Sequence, residues 1–243
     1  MTTWQHLPRL AVGRHPADSG KACLMNAISH ANGDAPVTDV PACTHPLLAR
    51  ATAALNDTIC GHLDGDRRLC VDCSCLMYGY EPQLTGTEPP TDRAQAHRLA
   101  VALVLATRPY LQPLWRPAHQ RAGAAAFDAT EAWLRGDGSR RRCAAASATA
   151  MRLAWFDSDE ALQMAGRVAA MVEDTPRRLH DFHAVGGFVV YWAGVHSGQA
   201  RTMLEALIAV RSAGGTPPPV PGDSRPAGSL RGLRERLAHV RSV

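Results

Sequence analysis

Apolar residues return at every third or fourth position through most of the chain from His45 to Arg211, and no stretch alternates apolar with polar over the length of a strand. A period between three and four is that of a helix burying one face, so the pattern confines the chain to an all-α fold, a helical bundle. Leu47, Leu48, Ala51, Ala54, Leu55 and Ile59 set the first stripe, with Pro46 in its opening turn and Gly61 and Asp64-Gly-Asp66 at its end. Proline suits that opening turn because its missing N–H has no helical partner there. A second helix starts near Thr91, whose hydroxyl is read as its cap, and runs through Leu99–Ala106. That eight-residue apolar block is too continuous for a surface helix and belongs at the centre. Residues 117–135 and 140–155 form two more, separated by Arg135-Gly-Asp-Gly-Ser139. Asp157-Ser-Asp-Glu160 has the spacing of a capping box ahead of Leu162, Ala165, Ala169 and Val172.

Thr175-Pro176 reads as a restart, and residues 176–212 as one long helix with Leu179, His183, Gly186, Val190, Ala193 and Leu204 on its seam. Gly186, Gly187, Gly194 and Gly198 lie within it. Each glycine costs about 1 kcal/mol against alanine in a helix, so four of them imply a second helix passing very close, or a kink. Residues 64–90 read as irregular, with one helical turn at most. The whole makes six to eight helices in three parts. Residues 1–90 form a loop-rich subdomain rich in cysteine and histidine, 91–212 a bundle, and 213–243 a Pro-rich linker with a short amphipathic helix carrying Leu230, Leu233, Leu237 and Val240.

With 243 residues and 46% apolar content the chain can bury a sizeable core. Aromatics are only 5% and alanine is abundant, so helices must approach closely to stabilise one another. A formal charge of +4 over this length does not by itself mark a nucleic-acid binder. The first thirty residues lack a secretory pattern, and the longest apolar run falls far below the roughly 20 residues a bilayer needs. The expectation is a cytoplasmic protein with no membrane partner. Seven cysteines, an odd number, fit free thiols or metal ligands better than a fully paired disulfide framework.

Chemistry concentrates in the first third. His15, Cys23, Asp39, Cys43 and His45 are the first candidate metal set, because thiolate and imidazole are good zinc ligands and a proline-broken leader can fold back to converge them. The same stretch carries Gly13-x-His15, Gly20-x-x-Cys23-Leu-Met25, Asp39-x-Pro41-x-Cys43-x-x-Pro46, Asn56-Asp57 and Gly86-Thr87. In these positions the chain resembles an uncharacterised helical family of actinobacteria and their phages, over about residues 7–87. It departs at Asn26, where relatives usually carry an acidic residue, and at Thr44, where they vary. The resemblance implies that His15, Cys23, Asp39 and Cys43 belong to one site and brings no established activity.

Cys70-Val-Asp-Cys73-Ser-Cys75 is the second candidate. Cys-x-x-Cys is the usual half of a zinc knuckle; a second pair is missing, and Cys60 or His62 is the available fourth ligand. His180-x-x-His183 with His196 is the third, but the Glu-x-x-His partners that a di-metal bundle site needs are absent. There is no phosphate loop, nucleophile elbow or His-Glu-x-x-His. The leading expectation is therefore a zinc-binding helical protein, structural if four protein ligands close the ion and hydrolytic if one position stays open. Two other classes compete with it. One is a non-catalytic accessory protein contacting nucleic acid through Arg140-Arg-Arg142 and the arginines of the tail. The other is a metal-free enzyme acting on a small molecule, with Cys43 or Cys23 as nucleophile and His15 or His45 as base.

Overall fold

The apolar stripes become helices in a computed structural model that describes residues 8–13, 15, 20–173 and 179–214. In chain order they are α1 (Leu24–Ala31), α2 (Pro46–Thr58), α3 (Val71–Tyr78), α4 (Glu81–Leu84), α5 (Arg93–Leu105) and α6 (Arg108–Leu111). Then come α7 (Gln120–Arg135), α8 (Arg140–Asp157), α9 (Glu160–Glu173), α10 (Leu179–Ser197) and α11 (Ala200–Ser212). Nine of these have eight residues or more. The described residues contain no sheet; one isolated antiparallel bridge joins Ala11 and Arg68. None of their helices is long and apolar enough to cross a membrane.

Two findings raise the helix number above six to eight. The stretch read as irregular contains α3, whose cap is a cysteine rather than the Ser, Thr, Asp or Asn that usually marks a helix start. The long helix read over 176–212 is broken, because Gly198 adopts φ +67° and Gln199 follows it, separating α10 from α11. A left-handed residue ends the hydrogen-bond ladder, and glycine enters that region without a Cβ penalty. Two caps also differ. Asp92, not Thr91, accepts the Gln95 N–H at 2.7 Å to start α5. Asp159 accepts the Leu162 N–H at 3.0 Å to start α9. The Thr175-Pro176 restart and the helix expected over 229–243 lie outside the described residues.

The Leu99–Leu105 block is buried throughout and α5 is central, packed by α2, α7, α9, α10 and α11. Alanine-rich α7, α8 and α9 pack on one another along Ala126, Ala129, Ala150, Ala154, Ala165 and Ala169. His119, just before α7, ties this group together. Its Nδ1 lies 2.6 Å from Asp159 Oδ2 and its Nε2 2.8 Å from Asp157 Oδ2. Asp159 foremost, then Asp157, raises the imidazole pKa against the opposing effect of burial.

The glycines of α10 do admit a neighbouring helix, namely α2. A Cβ on Gly194 would stand 2.8 Å from the Ala54 Cβ, and one on Gly187 2.9 Å from the Arg50 Cγ. One on Gly186 would meet Leu47 Cδ2 at 3.1 Å. α2 also packs on α11, so the first third of the chain shares its apolar core with the bundle.

The leader, residues 8–13, is held by bonds to distant positions. Leu69 N donates to the Leu10 carbonyl at 2.8 Å, Val12 N to the Arg67 carbonyl at 3.1 Å, and Ala11 N to the Ala22 carbonyl at 2.9 Å. Leu10 N donates to Ser74 Oγ at 3.2 Å and Tyr78 OH to the Pro8 carbonyl at 3.0 Å. The leader thus lies across the loop that carries the second cysteine cluster.

Candidate metal centre

Helix α2 ends after Thr58, the chain turns through Cys60 and the Asp64-Gly-Asp66 loop, and it returns at Cys70 to start α3. Asp64 shapes this loop: its Oδ1 accepts the Asp66 and Arg68 N–H groups at 3.0 and 2.9 Å. Its Oδ2 pairs with Arg9 at 3.0 Å. The Arg68 N–H foremost, with Arg9 among the further causes, holds the carboxyl below its ordinary range. The return brings Cys60, Cys70 and Cys73 together, with sulfurs within 4.8 Å of one another, each thiol half-buried. Tetrahedral zinc with bonds of about 2.3 Å sets its sulfurs about 3.8 Å apart, so these three need close by only about 1 Å.

The backbone already serves these sulfurs. Cys70 N–H donates to Cys60 Sγ at 3.5 Å, and Cys73 N–H donates to Cys70 Sγ at 3.4 Å in the capping position of α3. The Cys60 S–H donates to the His62 carbonyl at 3.4 Å and the Cys73 S–H to the Ile59 carbonyl at 3.8 Å. The Cys70 N–H lowers the Cys60 thiol pKa. Cys73 is pushed up to about 12 by burial, then by the sulfurs of Cys70 and Cys60. The two shifts are opposite in direction: the Cys70 N–H favours the Cys60 thiolate, while burial disfavours that of Cys73. The set is soft, thiol-only and half-open to solvent, and it suits zinc or another thiophilic ion better than magnesium or calcium.

Cys75 does not belong to this set. Two residues on a helix turn the side chain by about 200°, and Cys75 influences Tyr78 instead. Sequence reasoning placed Cys60 only as an option for the fourth ligand; it is one of the three that converge. His62 is exposed and enters through its carbonyl.

Among the described residues, no three of His15, Cys23, Asp39, Cys43 and His45 bring donor atoms within 4.8 Å. Four of them, Cys23, Asp39, Cys43 and His45, make other contacts. His45 caps α2, its Nδ1 accepting the Leu47 N–H at 3.2 Å, and its ring stands edge-on to His183 with centroids 5.3 Å apart. Burial first, then His183 and Arg211, drives its pKa down to about 3, so the ring is neutral. The Cys43 carbonyl accepts the Gly86 and Thr87 N–H groups at 2.9 and 3.1 Å, and Thr87 Oγ1 accepts the His45 N–H at 3.0 Å. Cys43, Gly86 and Thr87 are therefore a backbone splice holding the start of α2 to the loop after α4.

Cys23 caps α1; its N–H and S–H both donate to Asn26 Oδ1 at 3.2 Å. A carboxylate at position 26 would accept the same bonds. Burial raises the Cys23 thiol pKa and keeps it neutral, which removes the activation a nucleophile requires. His15 lines a cavity of about 580 Å³ with Lys21, Leu24 and Ile28. Cys23 and Asp39 line a different cavity of about 540 Å³, between α2 and α10, together with Gly13, Asn56 and Asp57. Gly13, Cys23, Asp39, Asn56 and Asp57, five positions of the pattern quoted from the sequence, thus line one cavity.

Of the third candidate, His183 faces His45 and His196 stacks on Trp192 with centroids 4.2 Å apart. The side chain of His180 lies outside those described. Arg140, Arg141 and Arg142 are exposed at the start of α8. Comparison with protein-family models, with curated proteins and with solved structures gave no match.

Proposed function

We propose that this is a cytoplasmic zinc-binding protein in which Cys60, Cys70 and Cys73 hold the ion. The observation that carries the reading is the convergence of three sulfurs from two sides of one loop, with backbone N–H groups directed at two of them. N–H···S bonds of this kind offset thiolate charge, and the N-terminus of α3 adds the positive end of its dipole. When bound, zinc supplies a fixed crosslink and, if its fourth position stays with water, a Lewis acid. The residues here do the positioning. Asp64 shapes the loop, Arg9 ties it to the leader, and Cys70 starts the helix that presents Cys73.

Elemental analysis of untagged protein tests this. One zinc per chain is expected, lost in Cys73→Ser and in Cys60→Ser and kept in Cys43→Ser and Cys75→Ser. Protein free of metal, or loss of metal in Cys43→Ser with retention in Cys73→Ser, sinks the reading.

A further inference from the structure

The cavity between α2 and α10 holds charge that its own partners leave partly uncompensated. Asp39 and Arg50 form an ion pair at 3.0 Å and cancel each other. Asp57 is met differently. Its Oδ1 accepts the Gly13 N–H at 2.8 Å and its Oδ2 the Tyr191 O–H at 2.9 Å. Both donors are neutral, and among the described residues no cationic group lies within 4.0 Å of it. Burial and Asp57 together push the Tyr191 phenol up to about 12, so it remains a donor and carries no charge. Beside Asp57, Asn56 is only 1% exposed. Its amide N–H donates to the Ala11 carbonyl at 2.9 Å, which orients Oδ1 as a buried acceptor, and that acceptor has no hydrogen-bond partner. The described lining residues are therefore rich in acceptors and carry a net formal charge of −1 from two carboxylates and one guanidinium.

The rest of the lining is apolar and small. Ala53, Ala184 and Gly187 leave space, and Phe188 stands at the edge with 48% of its surface exposed. The volume of about 540 Å³ falls within the range of small-molecule sites. A metal ion alone is a poor match, because among the described residues no three His, Cys, Asp or Glu donor atoms here come within 4.8 Å of one another. An anion is a poorer match, since Arg50, the one guanidinium among the described lining residues, is already paired with Asp39; Arg167 stands over the Phe188 ring at 5.4 Å but is not part of that lining.

We propose that this cavity binds a small amphipathic organic ammonium ion, its charged nitrogen on the Asp57 carboxylate and its apolar body along Phe188. The site is separate from the thiol cluster and stands whether or not that cluster holds zinc. A primary ammonium brings three N–H donors to a wall of acceptors, and charge-assisted bonds of that kind are stronger than neutral ones. An aromatic body adds ring contact at Phe188.

The test uses the full chain as isolated and titrates phenethylammonium by NMR, with phenethyl alcohol and phenylacetate as shape-matched neutral and anionic controls. Saturable binding of the amine is expected, with the alcohol and the acid weaker by about tenfold or more, the worth of one charge-assisted bond. Asp57→Asn should bring the amine to the level of the alcohol. Phe188→Ala, at an exposed position, should weaken amine and alcohol alike while leaving the melting temperature unchanged. That variant and the charge series decide the matter if Asp57→Asn does not fold. Failure of the amine to saturate by about 10 mM, well above the affinity range of ordinary sites, overturns the proposal. So does equal binding of amine, alcohol and acid, and so does amine binding that Asp57→Asn and Phe188→Ala leave unchanged.

Discussion

The group α7–α9 and the leader with its cysteine loop are held by different means. The helical group buries alanine and leucine faces between neighbours close in sequence, and its polar clamp, His119 between Asp157 and Asp159, reaches only about one helix pair along the chain. The leader has no helix of its own over residues 8–13. Most of its anchors come from afar: Leu69, Arg67, Ser74, Tyr78, Asn56 and Asp57, with Ala22 the nearest in sequence. Periodic burial can be built from local pattern alone, whereas an extended segment threaded across loops depends on single hydrogen bonds to fixed partners. Such a region gains most from a crosslink, and the thiol cluster lies at the base of its loop.

The largest test of this contrast is Phe127→Ala in α7. Phe127 is fully buried against Trp115, and its loss should cost about 3–5 kcal/mol, read as a lowered melting temperature of the whole protein. Chelation comes next. Removing an ion held at a hundredfold excess over its dissociation constant costs about 2.7 kcal/mol. Hydrogen exchange should show amides of residues 10–13 and 67–74 opening first, with α7–α9 still protected. Uniform loss of protection would erase the distinction between the two regions.

A smaller effect is expected of Asn56→Ala, which leaves the buried Ala11 carbonyl without its donor and should cost about 1–3 kcal/mol in denaturant unfolding. The same chelation experiment on this variant should find the leader already open.

The smallest effect is in pH. Asp159 and Asp157 raise the folded pKa of His119 above its unfolded value of about 6.5, so the clamp's contribution is complete below that pH. It is lost as pH rises through the folded pKa. Burial pushes the Asp159 carboxyl up, but His119 and the Leu162 and Arg116 N–H groups outweigh it, and the net pKa is lowered. That part is present above about 3.9 and is lost as pH falls through the folded value. The clamp therefore works best between about pH 4 and 6.5. In His119→Asn the melting temperature should lose its decline on the alkaline side of that window.

The bundle was legible because its signal is periodic and local. Leu99–Leu105 announces a central helix, and the glycines of α10 announce the close approach of another. The break at Gly198 was not legible, since a helical glycine and a left-handed one look alike in sequence. At the thiol cluster, adjacency drew attention to Cys75, while the helix period turns it away and the loop closes on Cys60 instead. The readable signal was Cys60 ten positions ahead of a Cys-x-x-Cys at a helix start. The set His15, Cys23, Asp39, Cys43 and His45 depended on how an aperiodic leader threads. The path of residues 8–13 is set by Asn56, Asp57, Arg67 and Leu69; Asn56-Asp57 stood out in the sequence as part of a pattern, but nothing in it showed that they anchor the leader.

Where α2 and α10 meet, the missing Cβ atoms of Gly187 and Gly194 let the Arg50 and Ala54 side chains of α2 press close to the α10 backbone. A larger residue at Gly187 or Gly194 would therefore wedge the two helices apart and reshape the cavity that Gly187 lines, so a substitution on α10 reaches the cavity through the backbone that frames it.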